Sequence, residues 1–321
     1  MSITSPLYFI HIPKTAGSSF RVAAERYFGT EATYYDYGAG AQETHQDILK
    51  YEYQLKDRHM AGRAVQQHAK FLSGHFIYPK YAPFFPARSV VTFVRNPAQQ
   101  VRSHYEHFSR LHGYEGSFAD FIRERRFANM QSKALNGIWH DAIGFIGITE
   151  QFSESLKVFN QYYGTSVEFL EINKNERKNQ HAYQLSAEEL ALIQKMNQQD
   201  FALYEYALKR FERQKHALQN DVPFVRSGHL HVDPKDKGRQ FNGWAACFEQ
   251  EEAITANVVV NEQIVDQTSF ASYRPLAKER AIHRNGYVGL SYRYADNIEA
   301  GSTVKFICRE TEQVLFEDTA V

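Results

Sequence analysis

Cysteine is nearly absent from this chain, with two in 321 residues, Cys247 and Cys308, both within the last hundred. That argues against a disulfide framework and against a cysteine zinc site. No run of about 20 apolar residues exists to cross a bilayer. The N-terminus shows no basic segment followed by a long apolar run, so no signal peptide is expected and the default expectation is a cytoplasmic protein. Net charge is lacking as well, since 37 Lys+Arg balance 37 Asp+Glu. There is therefore no bulk electrostatic case for nucleic acid or a membrane surface as partner. The balance is uneven along the chain: residues 1–220 hold 26 basic and 22 acidic side chains, or +4, and residues 221–321 hold 11 and 15, or −4. A mildly basic front part suits an anionic ligand. Aromatics, by contrast, are plentiful: 24 Phe and 20 Tyr within a hydrophobic fraction of 43% indicate a well-cored globular protein, long enough for two domains.

Strand-like and helix-like segments alternate over the first two thirds. Residues 7–12 read as a buried strand and 17–28 as the helix that follows it. Residues 30–42, with clustered Tyr and Gly, read as a loop before a polar helix near 43–56. Strands are expected at 69–73, 88–95, 144–150 and 166–172, with helices from Asn96-Pro97 to about Leu111, at 152–163, 186–197 and 200–218. Such alternation predicts an α/β fold with a three-layer, P-loop-like parallel sheet core. After residue 222 the pattern shifts to short alternating runs punctuated by Asn242-Gly243 and Asn285-Gly286, the signature of an antiparallel β-sandwich. The expected division is 1–221 for the α/β domain and 222–321 for the sandwich, with the boundary in "QNDVPFVRSGH".

Two stretches can carry chemistry. The first is "LYFIHIPKTAGSSFRVAAERYFG", residues 7–29, an apolar run that breaks into small residues and resumes in helical rhythm. A strand–loop–helix of this kind makes a cradle for an anion, because the helix N-terminus carries unpaired N–H groups and a partial positive charge. Lys14 adds a full charge, and Thr15, Ser18 and Ser19 add donors. Walker order is missing, since the lysine here precedes the glycine, and no Gly-Lys-Ser/Thr element occurs. The second stretch is "VTFVRNPAQQVRSHYEHF", where Arg95 ends a strand and Ser103 follows eight residues later on a helix. An arginine grips a phosphate through parallel N–H bonds, and a hydroxyl adds another donor. Both stretches fall at carboxyl ends of strands, where parallel sheets bind ligands.

In this order, the two stretches resemble sulfotransferases that use 3′-phosphoadenosine 5′-phosphosulfate (PAPS), in particular the carbohydrate sulfotransferase branch. "HIPKTAGSSF" is similar to that family's 5′-phosphosulfate loop. "FVRNPAQQVRSHY" is similar to its 3′-phosphate motif, although many members have Asp where Asn96 stands. "FLSGHF", "GITEQFSESLKVF" and "NQQDFALYEYALKRF" resemble later landmarks, so that the similarity spans roughly residues 7–213. It implies a cofactor site of Lys14, Thr15, Ala16, Gly17, Ser18, Ser19, Arg95 and Ser103, with adenosine 3′,5′-bisphosphate as the product and no metal. It also implies that His75 takes the proton of an acceptor hydroxyl, most naturally on a glycan, while Lys14 neutralises charge on the leaving phosphate oxygen. His11, beside the loop, is the second candidate base, although its place in an apolar strand favours a structural role.

Gln131 and Lys133 either reach the cofactor or acceptor or form a solvated helix end. Lys174, Arg177 and Lys178 make a basic loop that either closes over the nucleotide or is merely solvated. Trp244, Tyr273 and Tyr292 are core residues or a platform for a sugar chain. Two other functions stand beside the sulfotransferase. A nucleotide-dependent kinase of related fold is disfavoured because no convincing acidic magnesium ligand appears. A non-catalytic glycan-binding protein is disfavoured by the intact Lys14, Arg95, Ser103 and His75.

Overall fold

The computed structural model describes residues 5–168, 182–232, 239–295 and 298–320. The chain divides into two compact units. The first takes the chain up to Lys215 except for two short segments, Pro86–Arg88 and Ile138–Ile143; the second takes those segments and everything from His216 onward.

In the first unit, β1 (Leu7–Ile10), β2 (Thr33–Asp36), β3 (Phe71–Gly74), β4 (Val90–Val94) and β5 (Phe145–Ile148) form one sheet in the order β2-β3-β1-β4-β5. All four pairings are parallel. Every residue of β1, β3, β4 and β5 is buried. Burial on alternate sides of a pleated strand requires cover on both faces, which is the three-layer arrangement expected. The helices are α1 (Gly17–Phe28), α2 (Gln46–Ile48), α3 (Arg58–His68), α4 (Pro97–His112), α5 (Phe118–Arg123), α6 (Met130–Ala134), α7 (Phe152–Tyr163), α8 (Ala187–Met196) and α9 (Gln198–Gln219), the last turn of which is counted with the second unit. At its N-terminus α8 carries the capping box that Ser186 and Glu189 encode.

The expected loop at 30–42 contains β2 instead. The expected helix at 43–56 is α2 running into a π-helical turn at 49–54. It stops where Lys56 turns left-handed (φ 57) and Asp57 caps α3 by accepting from the Met60 N–H. Most of the expected strand at 166–172 lies outside the described residues, as do Lys174, Arg177 and Lys178.

In the second unit, β6 (Val225–His229), β7 (Gln240–Cys247), β10 (Ser272–Tyr273) and β11 (Tyr287–Arg293) form a sheet in the order β10-β11-β7-β6, with α10 (Pro275–Glu279) between β10 and β11. A second sheet, β13-β12-β8-β9, uses β8 (Thr255–Val260), β9 (Gln263–Ser269), β12 (Thr303–Cys308) and β13 (Val314–Thr319). Phe241 from one sheet and Phe306 and Phe316 from the other meet in a shared core. This is the expected sandwich.

Its turns differ from the expectation in one place. Asn242-Gly243 is not a turn but lies inside β7, opposite Ser291 and Leu290. A Cβ on Gly243 would collide with the Phe241 ring, so the glycine makes room rather than a bend. The β8–β9 hairpin turns instead on Asn261 and Glu262, both left-handed at φ 45 and φ 67. Trp244 is fully buried and stacks on Trp139 at 5.9 Å, so it is core and not a sugar platform. Trp139, from the 138–143 segment, also carries the Arg280 guanidinium 4.3 Å from its ring.

Candidate active site

Three adjacent strands of the first unit, β3, β1 and β4, end at the same edge of the sheet, and each releases one candidate residue there. The loop after β1 is held in an uncommon backbone shape, with Lys14 at φ 68 and Ala16 at φ 63. Ala16 stands at the N-cap of α1 and offers no side-chain cap. The first N–H groups of the helix are therefore left to the cradle. Gly17 opens the helix against the His11 ring, and a Cβ there would collide with that ring. Ser18 is exposed and Ser19 half-buried. Thr15 differs from its expected use: its side chain is fully buried and its hydroxyl donates to the Ile12 carbonyl at 2.9 Å. What Thr15 can offer an anion is backbone, not its hydroxyl.

Arg95 follows β4. Its Nη1 donates to the Lys14 carbonyl at 3.3 Å, which ties the second stretch to the first. Gln100, one turn into α4, donates its Nε2 to the Pro13 carbonyl at 3.0 Å and makes a second tie. Asn96 caps α4 by accepting from the Ala98 and Gln99 N–H groups, the work an aspartate would do there. Ser103, two turns along α4, is buried on the same helix. The Tyr183 ring lies 5.9 Å from the Arg95 guanidinium, and its backbone is clamped at both N–H and carbonyl by the Gln99 side-chain amide.

Gln131 does something neither sequence alternative anticipated. It is fully buried, accepts from the Arg95 N–H at 2.9 Å and donates to the Arg95 carbonyl at 2.9 Å. Asp200 in turn accepts from the Gln131 N–H and from the Ser132 N–H and hydroxyl. The amide thus fixes the backbone from which Arg95 projects. Losing it would leave two part-buried backbone groups unpaired, at no more than about 1–3 kcal/mol each. Lys133 turns elsewhere and donates to the Arg125 carbonyl.

His75 follows β3. Its Nδ1 lies 2.7 Å from the His11 carbonyl. A carbonyl only accepts, so Nδ1 carries the proton and Nε2 holds the lone pair, the form a base requires. Desolvation by its surroundings lowers the His75 pKa, its hydrogen bond to His11 raises it, and the nearby Arg21 charge lowers it further. The net shift is downward, so the imidazole is neutral at pH 7. The His11 and His75 rings lie 4.4 Å apart. His11 is buried, its Nδ1 is bonded to the Tyr37 hydroxyl at 2.8 Å, and burial pushes its pKa well down. Its ring packs under the α1 N-terminus and its carbonyl orients His75. A buried ring already bonded at Nδ1 suits a positioning role better than that of the base.

His104 is buried among Phe108, Phe121 and Phe127, and burial first, then His107 and Lys14, lowers its pKa to about 4. The folded value lies below the unfolded one near 6.5, so the unfolded chain binds the proton more readily. Stability should be full above pH 6.5 and fall as the pH drops toward 4, by at most about 3 kcal/mol from this group. Urea unfolding at pH 7 and pH 4.5 should show the loss, and His104→Leu should flatten it; an unchanged slope in the variant would assign the loss elsewhere.

The residues that sequence reasoning missed, Gln99, Gln100, Tyr183 and Arg21, act on backbone or rings distant in the chain. Only the paired glutamines just after the Asn-Pro start of α4 carried any local signal. No family model matches the chain, and no curated protein matches it. Among solved structures it is similar to the crystal structure of a sulfotransferase from Alicyclobacillus acidocaldarius, at 14% identity over 64% of this chain and 96% of that one, with a TM-score of 0.38. Among the described residues no helix is long and apolar enough to cross a membrane, and no His/Cys/Asp/Glu group is arranged to hold a metal ion.

Proposed function

We propose that the protein is a sulfotransferase that moves the sulfuryl group of PAPS to an acceptor hydroxyl, on a carbohydrate. The observation that supports this reading is the hydrogen bond from Arg95 to the Lys14 carbonyl, which ties the two candidate stretches to each other at the sheet edge where the strand before His75 also ends. The donor set fits the nucleotide. The uncapped start of α1 with Lys14, Ser18 and Ser19 suits the 5′-phosphosulfate, and Arg95 with Ser103 suits the 3′-phosphate. The nucleotide supplies an activated sulfuryl group on a good leaving group. The chain supplies the rest. Lys14 holds positive charge beside the bridging oxygen, and His75 Nε2 accepts the hydroxyl proton while Nδ1–H stays bonded to His11.

Adenosine 3′,5′-bisphosphate should raise the melting temperature well above what 5′-AMP achieves, with ATP and magnesium adding nothing. Equal stabilisation by the two adenine nucleotides would remove the 3′-phosphate assignment, and a magnesium-dependent ATP effect would favour the kinase.

The base assignment has a pH signature. The acid limb of kcat/KM for sulfuryl transfer should fall below pH 6.5, because the His75 pKa is lowered. Arg21 contributes to that lowering, so Arg21→Gln should move the limb to higher pH. A limb that stays in place would mean another group titrates.

A further inference from the structure

The second unit holds a cavity of about 310 Å³ whose lining includes Arg88, Lys278 and Arg284 against a single carboxylate, Glu251. The surrounding chain is acidic, at 11 basic to 15 acidic residues over 221–321. A cationic pocket is therefore a local construction and not a sample of a basic surface. Its wall is built from unusual backbone: Ala281, Arg284 and Asn285 are left-handed at φ 44, 44 and 50, and Gly286 follows at φ 89. Non-glycine residues avoid this region for steric reasons, and such strain concentrates at binding sites. The loop is held by bonds from the Gly286 N–H to the His283 carbonyl and from the Arg274 N–H to the Gly286 carbonyl, both at 2.8 Å. Arg284 is fixed by its Nη1, which donates to the Tyr287 carbonyl at 2.7 Å.

Where the cavity wall ends at Gly286, an exposed aromatic pair begins. Tyr287 and Tyr273 are register partners in β11 and β10, with rings 5.2 Å apart, and they are 52% and 43% exposed. Two exposed rings at a two-residue edge strand are not needed for the core. They offer flat apolar faces of the kind that stack on the C–H face of a pyranose, beside cations that suit carboxylate or sulfate groups.

We propose that this edge of the sandwich binds an anionic polysaccharide, with Tyr273 and Tyr287 stacking on sugar rings and Lys278 and Arg284 meeting the charged substituents. Single-stranded nucleic acid also combines stacking and charge, but it needs a basic track along its continuous phosphate backbone, and the cations here are confined to one pocket. The site does not depend on the transfer reading.

Calorimetry on the full chain tests it, using a galacturonic acid hexamer, maltohexaose, free sulfate and a single-stranded DNA dodecamer. The acidic hexamer should bind at least tenfold more tightly than maltohexaose and weaken as salt rises. Lys278→Glu should reduce its affinity at least tenfold and Tyr287→Ser several-fold. Both side chains are exposed, so melting temperature and bisphosphate affinity should be unchanged in both variants. The proposal is overturned if no acidic hexamer binds, if both hexasaccharides bind equally, if sulfate alone binds as tightly, if DNA binds more tightly, or if Lys278→Glu has no effect.

Discussion

Replacing His75 with alanine should cut sulfuryl transfer by about 10²–10⁴-fold, the usual worth of a positioned general base. Affinity for adenosine 3′,5′-bisphosphate should remain near its starting value, because the groups suited to its phosphates lie after β1 and β4 and not after β3. His75→Asn makes the sharper comparison. Its amide can donate to the His11 carbonyl as Nδ1–H does, which preserves the local packing without supplying a base. Both variants should therefore show only this residual turnover at every pH, without the acid limb expected of the parent. Turnover in His75→Asn within tenfold of the parent would place the base elsewhere. His11 would be a poor replacement, since it is buried against Gly17 and already bonded to Tyr37.

The second large effect belongs to Arg95. Arg95→Ala should weaken adenosine 3′,5′-bisphosphate by about 1.5–3 kcal/mol, roughly 10–150-fold, while 5′-AMP binds almost as before. On the proposed assignment the effect is selective: a charge-assisted pair to the 3′-phosphate would be lost, and the helix N-terminus suited to the 5′ group would be untouched. Because Arg95 also donates to the Lys14 carbonyl, turnover should fall further than binding alone explains. Calorimetry with both nucleotides separates the two contributions. Equal losses for both would mean that Arg95 acts only by holding the loop in shape.

The sequence carried the framework of this site better than its fine structure. α1 and α7 begin and end where their apolar spacing and small-residue starts indicated, and the buried runs of β1, β4 and β5 were plain from their composition. β2 was not legible: four residues, Thr-Tyr-Tyr-Asp, sit among glycines and tyrosines with no long apolar run, and only pairing with β3 makes them a strand. Asn242-Gly243 misled because the same dipeptide serves a turn or a crowded strand, and the Phe241 ring decided which. The clamp of Gln131 on Arg95 joins residues 36 apart in sequence. No periodicity or spacing rule reports such a bond. Thr15 was assigned correctly to the loop, but which way its hydroxyl faces depended on the Ile12 carbonyl beneath it.

The pairing of Trp139 with Trp244 also sets a clock on biosynthesis. The 138–143 segment leaves the ribosome about a hundred residues before the strand that covers it, and at about 5–20 residues per second the delay is about 5–20 s. During that interval a tryptophan and its apolar neighbours Ile138, Ala142 and Ile143 have no sandwich to enter. The same arrangement bears on domain exchange. A cut near residue 221 would remove the strands and leave this segment behind, so the sandwich cannot be traded between proteins as a terminal cassette without carrying a piece of the earlier chain with it.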